Sequence, residues 1–292
     1  MKAYLGVARA NFLLLPVTLV AVGAAAAAHD GAFDPVATVA ALLGLVALHA
    51  AVNAFNEYSD FRRGIDLETE RTPFTGGSGT LPAGHPTRIA LGVGIGGTVF
   101  GGIVGAYFLY SIGTQLLPIY VVGALCVLGY TDFLARIYLG EIFAGLGLGT
   151  LPVLGAVMVQ GGELGPTAIA ASIPPFFMTF NLLLLNEFPD EEADRRGGRK
   201  NLITLFGRQS AAWIYVLAGW LTKISLLVPV LMGIYPWLCL LALAPSAALV
   251  PPTRWALSRP AEPVPVAALG ANVIWNLATN AVLALCLALA LL

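Results

Sequence analysis

The sequence predicts an all-α polytopic membrane protein, with nine transmembrane helices around a central cavity and a cytoplasmic N-terminus. Of its 292 residues, 58% are hydrophobic and 11% are charged, whereas soluble domains carry roughly 25% charged residues. The mean hydropathy is +0.83. Apolar runs recur along the whole chain, and nearly all basic residues fall on one predicted side of them. A net charge of −1 gives no indication of a nucleic-acid partner.

Nine apolar runs are long enough to span a bilayer, which takes about 20 mainly apolar residues in a helix. In chain order, the predicted spans are 8–28, 36–58, 88–110, 115–133, 139–160, 166–187, 210–232, 234–251 and 267–291. The first is predicted to be an uncleaved helix rather than a secretory signal, because eight further spans follow it. Prolines make the eighth predicted span the least regular.

Cys126, Cys239 and Cys286 lie inside apolar runs, which indicates packing rather than disulfides or metal ligation. We therefore predict one transmembrane domain over 1–292.

The Lys and Arg residues support this arrangement. Fourteen of the fifteen lie in the N-terminal segment or in the loops after predicted helices 2, 4, 6 and 8. The intervening loops HDGAFDP, SIGTQ, GGELGPT and GIYPW carry none. The positive-inside rule then places the N-terminus and the basic loops in the cytoplasm. The remaining basic residue, Lys223, falls near the middle of helix 7, where it either contacts a substrate anion or pairs within the bundle.

Two acidic segments repeat each other. Ten of the sixteen carboxylates lie in the predicted loops after helices 2 and 6. "NEYSD" from Asn56 and "NEFPD" from Asn186 align at Asn, Glu and Asp with an offset of 130 residues. The positive-inside rule does not explain acidic residues on that side of the membrane. The repeat therefore indicates two related halves that face a shared site.

Helical spacing places the oxygen ligands of each motif on one face, because residues four apart lie about 6 Å from each other on a helix. Mg²⁺ is usually held by a few carboxylates, while waters and substrate phosphates complete its shell. Two such faces could hold a pair of Mg²⁺ ions and a diphosphate, and the arginines nearby suit phosphate oxygens. The residues of the two faces are His49, Asn53, Asn56 and Asp60 in the first, and Asn186, Asp190 and Asp194 in the second.

These motifs resemble those of the UbiA superfamily of intramembrane prenyltransferases. The family's first motif reads N-D-x-x-D with further acids and its second reads D-x-x-x-D, and here they stand as "NEYSDFRRGID" and "NEFPDEEAD". "YTDFLARIYLGE" between helices 4 and 5 is similar as well. "RGID", "TGGSGTLPAG" and "DRRGGRKNLITLFGR" look most like the 1,4-dihydroxy-2-naphthoate (menaquinone-pathway) branch. Glu57 departs from the commonest pattern, which has Asp, and its longer side chain could shift a metal contact to a water-mediated one.

The resemblance implies transfer of a polyprenyl group from its diphosphate to an aromatic acceptor, best matched by 1,4-dihydroxy-2-naphthoate. The reaction would proceed by Mg²⁺-assisted ionisation in the cell membrane, with the active-site loops on the cytoplasmic side. Two Mg²⁺ ions bridged by the diphosphate would bind Asn56, Asp60, Asp190 and Asp194. Tyr130 would stabilise a cation through its ring or orient the diphosphate, unless it is only an interface aromatic. The predicted substrate-binding residues are Asn53, Arg62, Arg136, Asn186, Arg199 and Lys200.

Other functions stay open at this point. The same chemistry could use 4-hydroxybenzoate or a glycerol phosphate lipid precursor as the acceptor. A cation transporter is an alternative from another class, although its carboxylates usually lie near the bilayer midplane on interrupted helices.

Several polar residues have two interpretations. The glycines of "TGGSG" predict a mobile lid over the diphosphate. His49 either lines the acceptor pocket or is a buried, satisfied histidine, and Glu141 is a candidate helix cap. Asparagines recur every four residues on helix 9, which favours interhelical hydrogen bonds; they are Asn272, Asn276 and Asn280.

Overall fold

The structure is a computed structural model that describes residues 1–69 and 71–290, without the side chain of Glu68. Within these ranges all regular structure is helical and there are no strands, which confirms the predicted all-α class. The helices are α1 (Lys2–Val7), α2 (Leu14–His29), α3 (Pro35–Arg62), α4 (Ile65–Glu68), α5 (Arg88–Ile112), α6 (Leu117–Gly129), α7 (Gly140–Gly145), α8 (Leu151–Val159), α9 (Pro166–Arg196), α10 (Leu202–Leu231), α11 (Val250–Ser258) and α12 (Val266–Leu289).

Among the described residues, seven helical segments are long and apolar enough to cross a membrane. They correspond to predicted spans 1, 2, 3, 5, 6, 7 and 9. The fourth predicted span is the shorter apolar helix Thr114–Gly129, and the eighth is a 3₁₀ segment, Trp237–Leu249, that continues into α11. The multi-pass helical architecture is thus confirmed, while the count of nine and the side of the N-terminus stay predictions.

The two acidic motifs lie on helices and not in loops, which corrects the predicted ends at 58 and 187. Helix α3 continues to Arg62 and ends before Gly64, whose φ is 80°. Helix α9 continues to Arg196, ahead of Gly198 with a φ of 77°. No residue between each motif and its terminal glycine requires the left-handed conformation, so the helical hydrogen bonding runs on. The motif side chains are therefore held on the last turns of two long helices.

Helix α10 begins earlier than predicted, at Leu202 rather than 210. Asn201 caps it: its side chain accepts from the backbone N–H of Thr204, whose hydroxyl lies 3.0 Å from the backbone N–H of Asn201. This capping box fixes the start of the helix. A kink at Gly207, with a φ of 79°, separates this first turn from the predicted span.

Helices α7 and α8 form one membrane segment that is joined by a π-helical turn, Leu146–Thr150. A π-helical turn widens the helix by one residue. The backbone carbonyl of Leu148 in this turn accepts a hydrogen bond from Thr179 of α9 at 3.2 Å. The widened turn is therefore tied to the helix that carries the second motif.

Loops that were predicted to lie on the non-basic side meet at one end of the molecule. Thr167 donates to Asp30 at 2.8 Å, and the backbone N–H of Asp34 donates to Gln160 at 2.8 Å. Asp34 also caps α3 by accepting from the N–H groups of Val36 and Ala37. These bonds hold the start of α9 beside the end of α2 and the start of α3 beside the end of α8, and both motifs lie at the other end of the molecule.

Buried asparagines connect the helices of the second half. Tyr215 of α10 donates its hydroxyl to Asn272 of α12 at 2.9 Å, and Asn181 of α9 donates to the backbone carbonyl of Tyr215 at 2.9 Å. Asn280 donates to Asn276 at 3.0 Å along α12. The predicted interhelical role is confirmed for Asn272. Lys223 packs its ammonium 4.3 Å from the ring centre of Trp220 on the same helix.

Candidate active site

A cavity of about 160 Å³ lies between α3 and α9, at the end of the bundle where the two motifs meet. The predicted oxygen ligands from both halves line it together, as the internal repeat indicates. They are Asn53, Asn56 and Asp60 from α3, and Asn186, Asp190 and Asp194 from α9. Tyr130, which follows the end of α6, lines the same cavity.

Arg199 connects the two motifs. Its Nη2 lies 2.8 and 2.7 Å from the two carboxylate oxygens of Asp60, and its Nε lies 3.8 Å from Oδ1 of Asp194. Burial opposes the charge, but the carboxylates of Asp60 and Asp194 raise the pKa of Arg199 above its ordinary value. A permanently charged guanidinium therefore neutralises the middle of the acidic cluster. Asn201 adds a 3.3 Å hydrogen bond to Oδ2 of Asp194.

Several oxygens in the cavity wall have no hydrogen-bond donor among the described residues. They are Oδ1 of Asn186, Oδ1 of Asp190, Oδ2 of Asp66 and Oε2 of Glu187, and all four are buried. Burial, together with the charges of Asp60 and Glu57, raises the pKa of Asp66 to about 8. Buried acceptors without donors are costly, and a cation would satisfy them. The residues present therefore fit a divalent metal with oxygen ligands.

The protein ligands alone do not complete a metal shell. In the described part of the chain, no group of three or more His, Cys, Asp or Glu side chains could hold a metal ion. Mg²⁺ commonly takes one or two carboxylates and fills its remaining positions with water and phosphate oxygens. The arrangement is thus suited to a metal that arrives with a phosphorylated ligand.

Three predicted phosphate contacts lie outside the cavity wall. Arg62 is exposed and bonds to the Tyr58 hydroxyl at 3.1 Å. Arg62 follows Asp60 by two residues, which corresponds to about 200° of rotation around the helix, so its side chain points away from the cavity. Arg136 donates to the carbonyl of Gly197 at 2.9 Å and so supports the turn after the second motif. Lys200 is also exposed, with its ammonium 5.6 Å from the ring centre of Tyr138. Their substrate-binding roles stay predictions.

Glu191 and Glu192, two further acids of the second motif, do not line the cavity either. Glu191 pairs with Arg195 at 2.9 Å and with Arg208 at 2.8 Å, and Glu192 lies 3.8 Å from Arg196. These contacts stabilise the end of α9 and its junction with α10.

Sequence reasoning missed several residues of the cavity wall, among them Arg9, Asp66 and Glu187. Arg9 was explained by membrane sidedness alone. Asp66 is the last acid of "NEYSDFRRGID", six residues after Asp60, and its position in the sequence alone did not place it in the site. Three residues of the loop that was predicted to be a mobile lid line the cavity, namely Thr75, Gly76 and Gly77, and its mobility stays a prediction. The backbone N–H of Gly76 lies 3.4 Å from Oδ2 of Asp190, which links this loop to the second motif.

Glu141 is fully buried and caps a helix, although not its own. Its Oε1 accepts from the backbone N–H of Leu202 at 2.7 Å, the first residue of α10. The predicted capping role is therefore correct in kind, but it acts on the helix that follows Arg199. This bond helps to position the segment 199–201 beside the cavity.

A second, apolar cavity of about 300 Å³ adjoins the first. His49, Val52 and Leu148 line both, so the two spaces are contiguous. The wall of the second cavity contains many glycines, including Gly102 of α5, Gly123 of α6 and Gly155 of α8. At His49, Nδ1 lies 3.1 Å from the carbonyl of Leu45 and must carry the proton, while Nε2 has no partner among the described residues.

Comparison with known proteins agrees with these observations. Residues 14–277 match the UbiA prenyltransferase family. The protein belongs to this family. The stretch of this UbiA-family protein that matches includes both acidic motifs and the helices that carry them.

Two curated relatives carry the same name. The 1,4-dihydroxy-2-naphthoate octaprenyltransferase of Bacillus subtilis (strain 168) is 29% identical over 204 residues, which cover 68% of this chain and 65% of the relative. The enzyme of that name from Escherichia coli (strain K12) is 25% identical over 250 residues, covering 82% and 81%. The chain thus spans slightly under two thirds of the Bacillus relative.

Solved structures of other UbiA homologues share the fold. The apo homologue from Aeropyrum pernix K1 has a TM-score of 0.74 at 16% identity, over 97% of this chain and 98% of that one. The homologue from Archaeoglobus fulgidus bound to DMAPP and Mg²⁺ has a TM-score of 0.63 at 17% identity, over 96% and 98%. The similarity therefore extends over nearly the whole length of each structure.

Proposed function

We propose that this UbiA-family protein is a Mg²⁺-dependent transferase that moves a polyprenyl group from its diphosphate to an aromatic acceptor. One observation carries the proposal: the two acidic motifs converge on a polar cavity that continues into an apolar one. An amphipathic substrate with a diphosphate head and a hydrocarbon tail matches this pair of spaces in both polarity and order. The reaction would take place within the membrane, which supplies the prenyl substrate.

Asn56, Asp60, Asp190 and Asp194 are the residues that would hold the metal, as two Mg²⁺ ions beside the diphosphate. The unpartnered oxygen of Asp190 supports this assignment. When bound, Mg²⁺ would offset the negative charge that grows on the departing diphosphate. The Archaeoglobus homologue with DMAPP and Mg²⁺ supports the pairing of metal and prenyl diphosphate in this fold.

Two arginine side chains of the protein would also stabilise the negative charge on the departing diphosphate. Arg9 and Arg199 both line the polar cavity, and a guanidinium presents several donors to phosphate oxygens. Tyr130 lies in the same wall and could orient the diphosphate through its hydroxyl or face the allylic cation with its ring. These groups bind and orient the substrate.

The apolar cavity would hold the prenyl tail and keep water from the reactive carbon. Its wall is formed by glycines and aliphatic residues of α3, α5, α6 and α8. His49 lies at its junction with the polar cavity and presents an unpartnered Nε2. This is one position at which a polar group of an acceptor could be recognised.

The acceptor we propose is 1,4-dihydroxy-2-naphthoate, in quinone biosynthesis. The names of the Bacillus and Escherichia relatives support it, as do the loops that resemble that branch. Transfer to 4-hydroxybenzoate or to a glycerol phosphate lipid precursor is the alternative within the same chemistry. A panel that crosses these acceptors with prenyl diphosphates of several lengths would identify the substrate pair.

The decisive experiment measures turnover of purified protein in lipid nanodiscs, with Mg²⁺, labelled prenyl diphosphate and the acceptor panel. We expect release of diphosphate together with a prenylated product, and loss of both on chelation of the metal. Asp60→Ala and Asp190→Ala should each reduce turnover by about 100-fold or more, while Glu192→Ala, at an exposed acid of the same segment, should not. Near-normal activity in either aspartate variant would remove the metal assignment. Metal-dependent ion flux in proteoliposomes, without any turnover, would show that the protein is a transporter and not an enzyme.

A further inference from the structure

Glu57 belongs to the first motif but not to the cavity wall. Its neighbours Asn53, Asn56 and Asp60 line the cavity, whereas Glu57 is fully buried and is not among the described residues that do so. Its side chain points instead toward the N-terminal segment and the glycine loop, which we define as residues 75–79. The family's commonest residue here is Asp, so the use of the longer side chain can be read directly from its contacts.

The carboxylate of Glu57 is almost saturated with donors. Oε1 accepts from Nε of Arg9 at 2.7 Å and from the backbone N–H of Ser78 at 2.7 Å. Oε2 accepts from the hydroxyl of Ser78 at 2.8 Å. Three of the roughly four lone-pair sites of a carboxylate are therefore occupied. The positive charge of Arg9 also opposes the approach of a second cation on this side.

One partner of Glu57 lines the polar cavity, and the other directly follows residues that line it. Arg9 lines it directly, and Ser78 follows Gly76 and Gly77, which line it as well. Gly77 packs so closely that a Cβ there would lie 2.7 Å from Oδ1 of Asp66. The N-terminal segment is held in place beside this loop by a bond from Asn53 to the carbonyl of Ala8 at 2.9 Å. Glu57 thus joins two segments that are distant in sequence at one edge of the site.

We propose that Glu57 is a positioning residue that fastens Arg9 and the glycine loop over the diphosphate end of the cavity, and that it does not ligate the metal. The proposal rests on the proposed function for the identity of the diphosphate. An Asp here would be one methylene shorter and would not reach Arg9 and Ser78 from the same backbone. Glu57 therefore makes the edge of the site a fixed wall built from the N-terminus and the loop.

The first test uses amide hydrogen exchange in the substrate-free protein in nanodiscs. Glu57→Gln and Ser78→Ala should each speed exchange in the glycine loop by about tenfold or more, because local opening loses a charge-assisted hydrogen bond. Exchange in the loop should be about as fast in the double variant as in Glu57→Gln alone, since both changes remove the same contact between Glu57 and Ser78. The matched control is Asp194→Asn, at a proposed metal ligand whose hydrogen bond and ion pair among the described residues go to Asn201 and Arg199 and not to the loop, and it should leave this exchange unchanged.

The second test measures Mn²⁺ binding and prenyl diphosphate kinetics in the same variants. Glu57→Gln should bind Mn²⁺ like the wild type but show a KM for prenyl diphosphate raised about tenfold, while Asp194→Asn should lose Mn²⁺ affinity. Wild-type loop exchange in Glu57→Gln, or a loss of Mn²⁺ affinity as large as that of Asp194→Asn, would overturn the proposal. Absence of turnover in the wild type would refute the proposed function, and the exchange data would still decide the role of Glu57.

Discussion

At the scale of single residues, Arg199 joins the two motifs through its contacts with Asp60 and Asp194. It shares Asp60 and Asp194 with the metal that we propose. A divalent ion at the proposed site would therefore compete with this guanidinium for the same carboxylates, and Arg199 would then be available to bind the diphosphate.

This competition predicts opposite effects of one substitution. Arg199→Gln should raise the affinity of the substrate-free protein for Mn²⁺ by about tenfold, which corresponds to 1.4 kcal/mol, and should lower turnover with prenyl diphosphate. Titration with Mn²⁺ checks the first effect, with Arg195→Gln at an exposed ion pair as the control. Weaker Mn²⁺ binding in Arg199→Gln would show that the arginine supports the metal site instead of competing with it.

The two aspartates of the metal assignment should also differ in their effect on stability. Removal of Asp60 leaves the largely buried Arg199 side chain with the 3.8 Å contact to Asp194 as its one ion pair among the described residues, and loss of one partner from a buried pair costs about 3 kcal/mol. Within the described part of the chain, the one hydrogen bond of the Asp190 carboxylate is a 3.4 Å contact with the backbone N–H of Gly76. Thermal unfolding with a chelator present should therefore show a lower Tm for Asp60→Ala than for Asp190→Ala. Equal values would contradict the role of Arg199 as the buried partner.

The sequence predicts the residues of this site to the extent that local spacing determines them. The oxygen ligands were found because positions four apart share a helix face, and Asn56, Asp60, Asn186, Asp190 and Asp194 all line the cavity. Arg62, Arg136 and Lys200 do not, because the direction of a side chain near a helix end depends on where the chain turns next. Arg9 could not be found this way, since only tertiary packing brings the N-terminus to the first motif.

At the scale of helices, glycines give the apolar cavity its width. A Cβ at Gly123 would meet nothing within 4 Å, and one at Gly155 would lie 3.7 Å from Ile119. A larger side chain at either position can therefore enter the cavity without moving the backbone. Helix packing is preserved in such a variant, and the volume available to a hydrocarbon chain is reduced.

Gly123→Phe should accordingly reduce turnover with long prenyl diphosphates by about tenfold or more, since each buried CH₂ contributes about 0.8 kcal/mol, and leave dimethylallyl diphosphate nearly unaffected. The measurement is kcat/KM across a series of chain lengths. Gly96→Leu is the control, because this glycine is exposed on α5 and also has nothing within 4 Å. An equal loss of kcat/KM for prenyl diphosphates of all chain lengths would show that the prenyl tail does not bind in this cavity.

Helix positions were largely predictable, but helix ends were not. Hydropathy located each apolar segment, because the run of about 20 apolar residues is set by the bilayer. The ends depend on capping and on glycines, so α3 and α9 run past the apolar stretch while α10 starts at the Asn201 cap. Charged residues continue a helix once its first turns are formed.

At the scale of the whole molecule, the fold predicts which loops share a side of the membrane. Glu192 lies at the motif end and Glu163 in the loop beside Gln160 at the other end, and both are exposed. The native cysteines are buried, so a single introduced thiol can report on each side. The two ends face opposite compartments if the bundle spans the membrane, and a cytoplasmic N-terminus then places the motif end in the cytoplasm.

We therefore expect a membrane-impermeant maleimide to label Glu163→Cys in intact cells and Glu192→Cys only after the membrane is opened. The wild type, with its buried cysteines, provides the background. Labelling of Glu192→Cys in intact cells would reverse the predicted orientation and place the site on the outer side.

The π-helical turn at Leu146–Thr150 has a consequence for how the family can diversify. A π turn is a single-residue insertion, and one residue corresponds to about 100° of helix rotation. Leu148 in this turn borders both cavities. Loss of one residue here would restore a regular helix and rotate α7 against α8. Relatives could then differ in the number of residues in this segment, and not only in their identity. That number would determine the width of the opening between the polar and the apolar cavity.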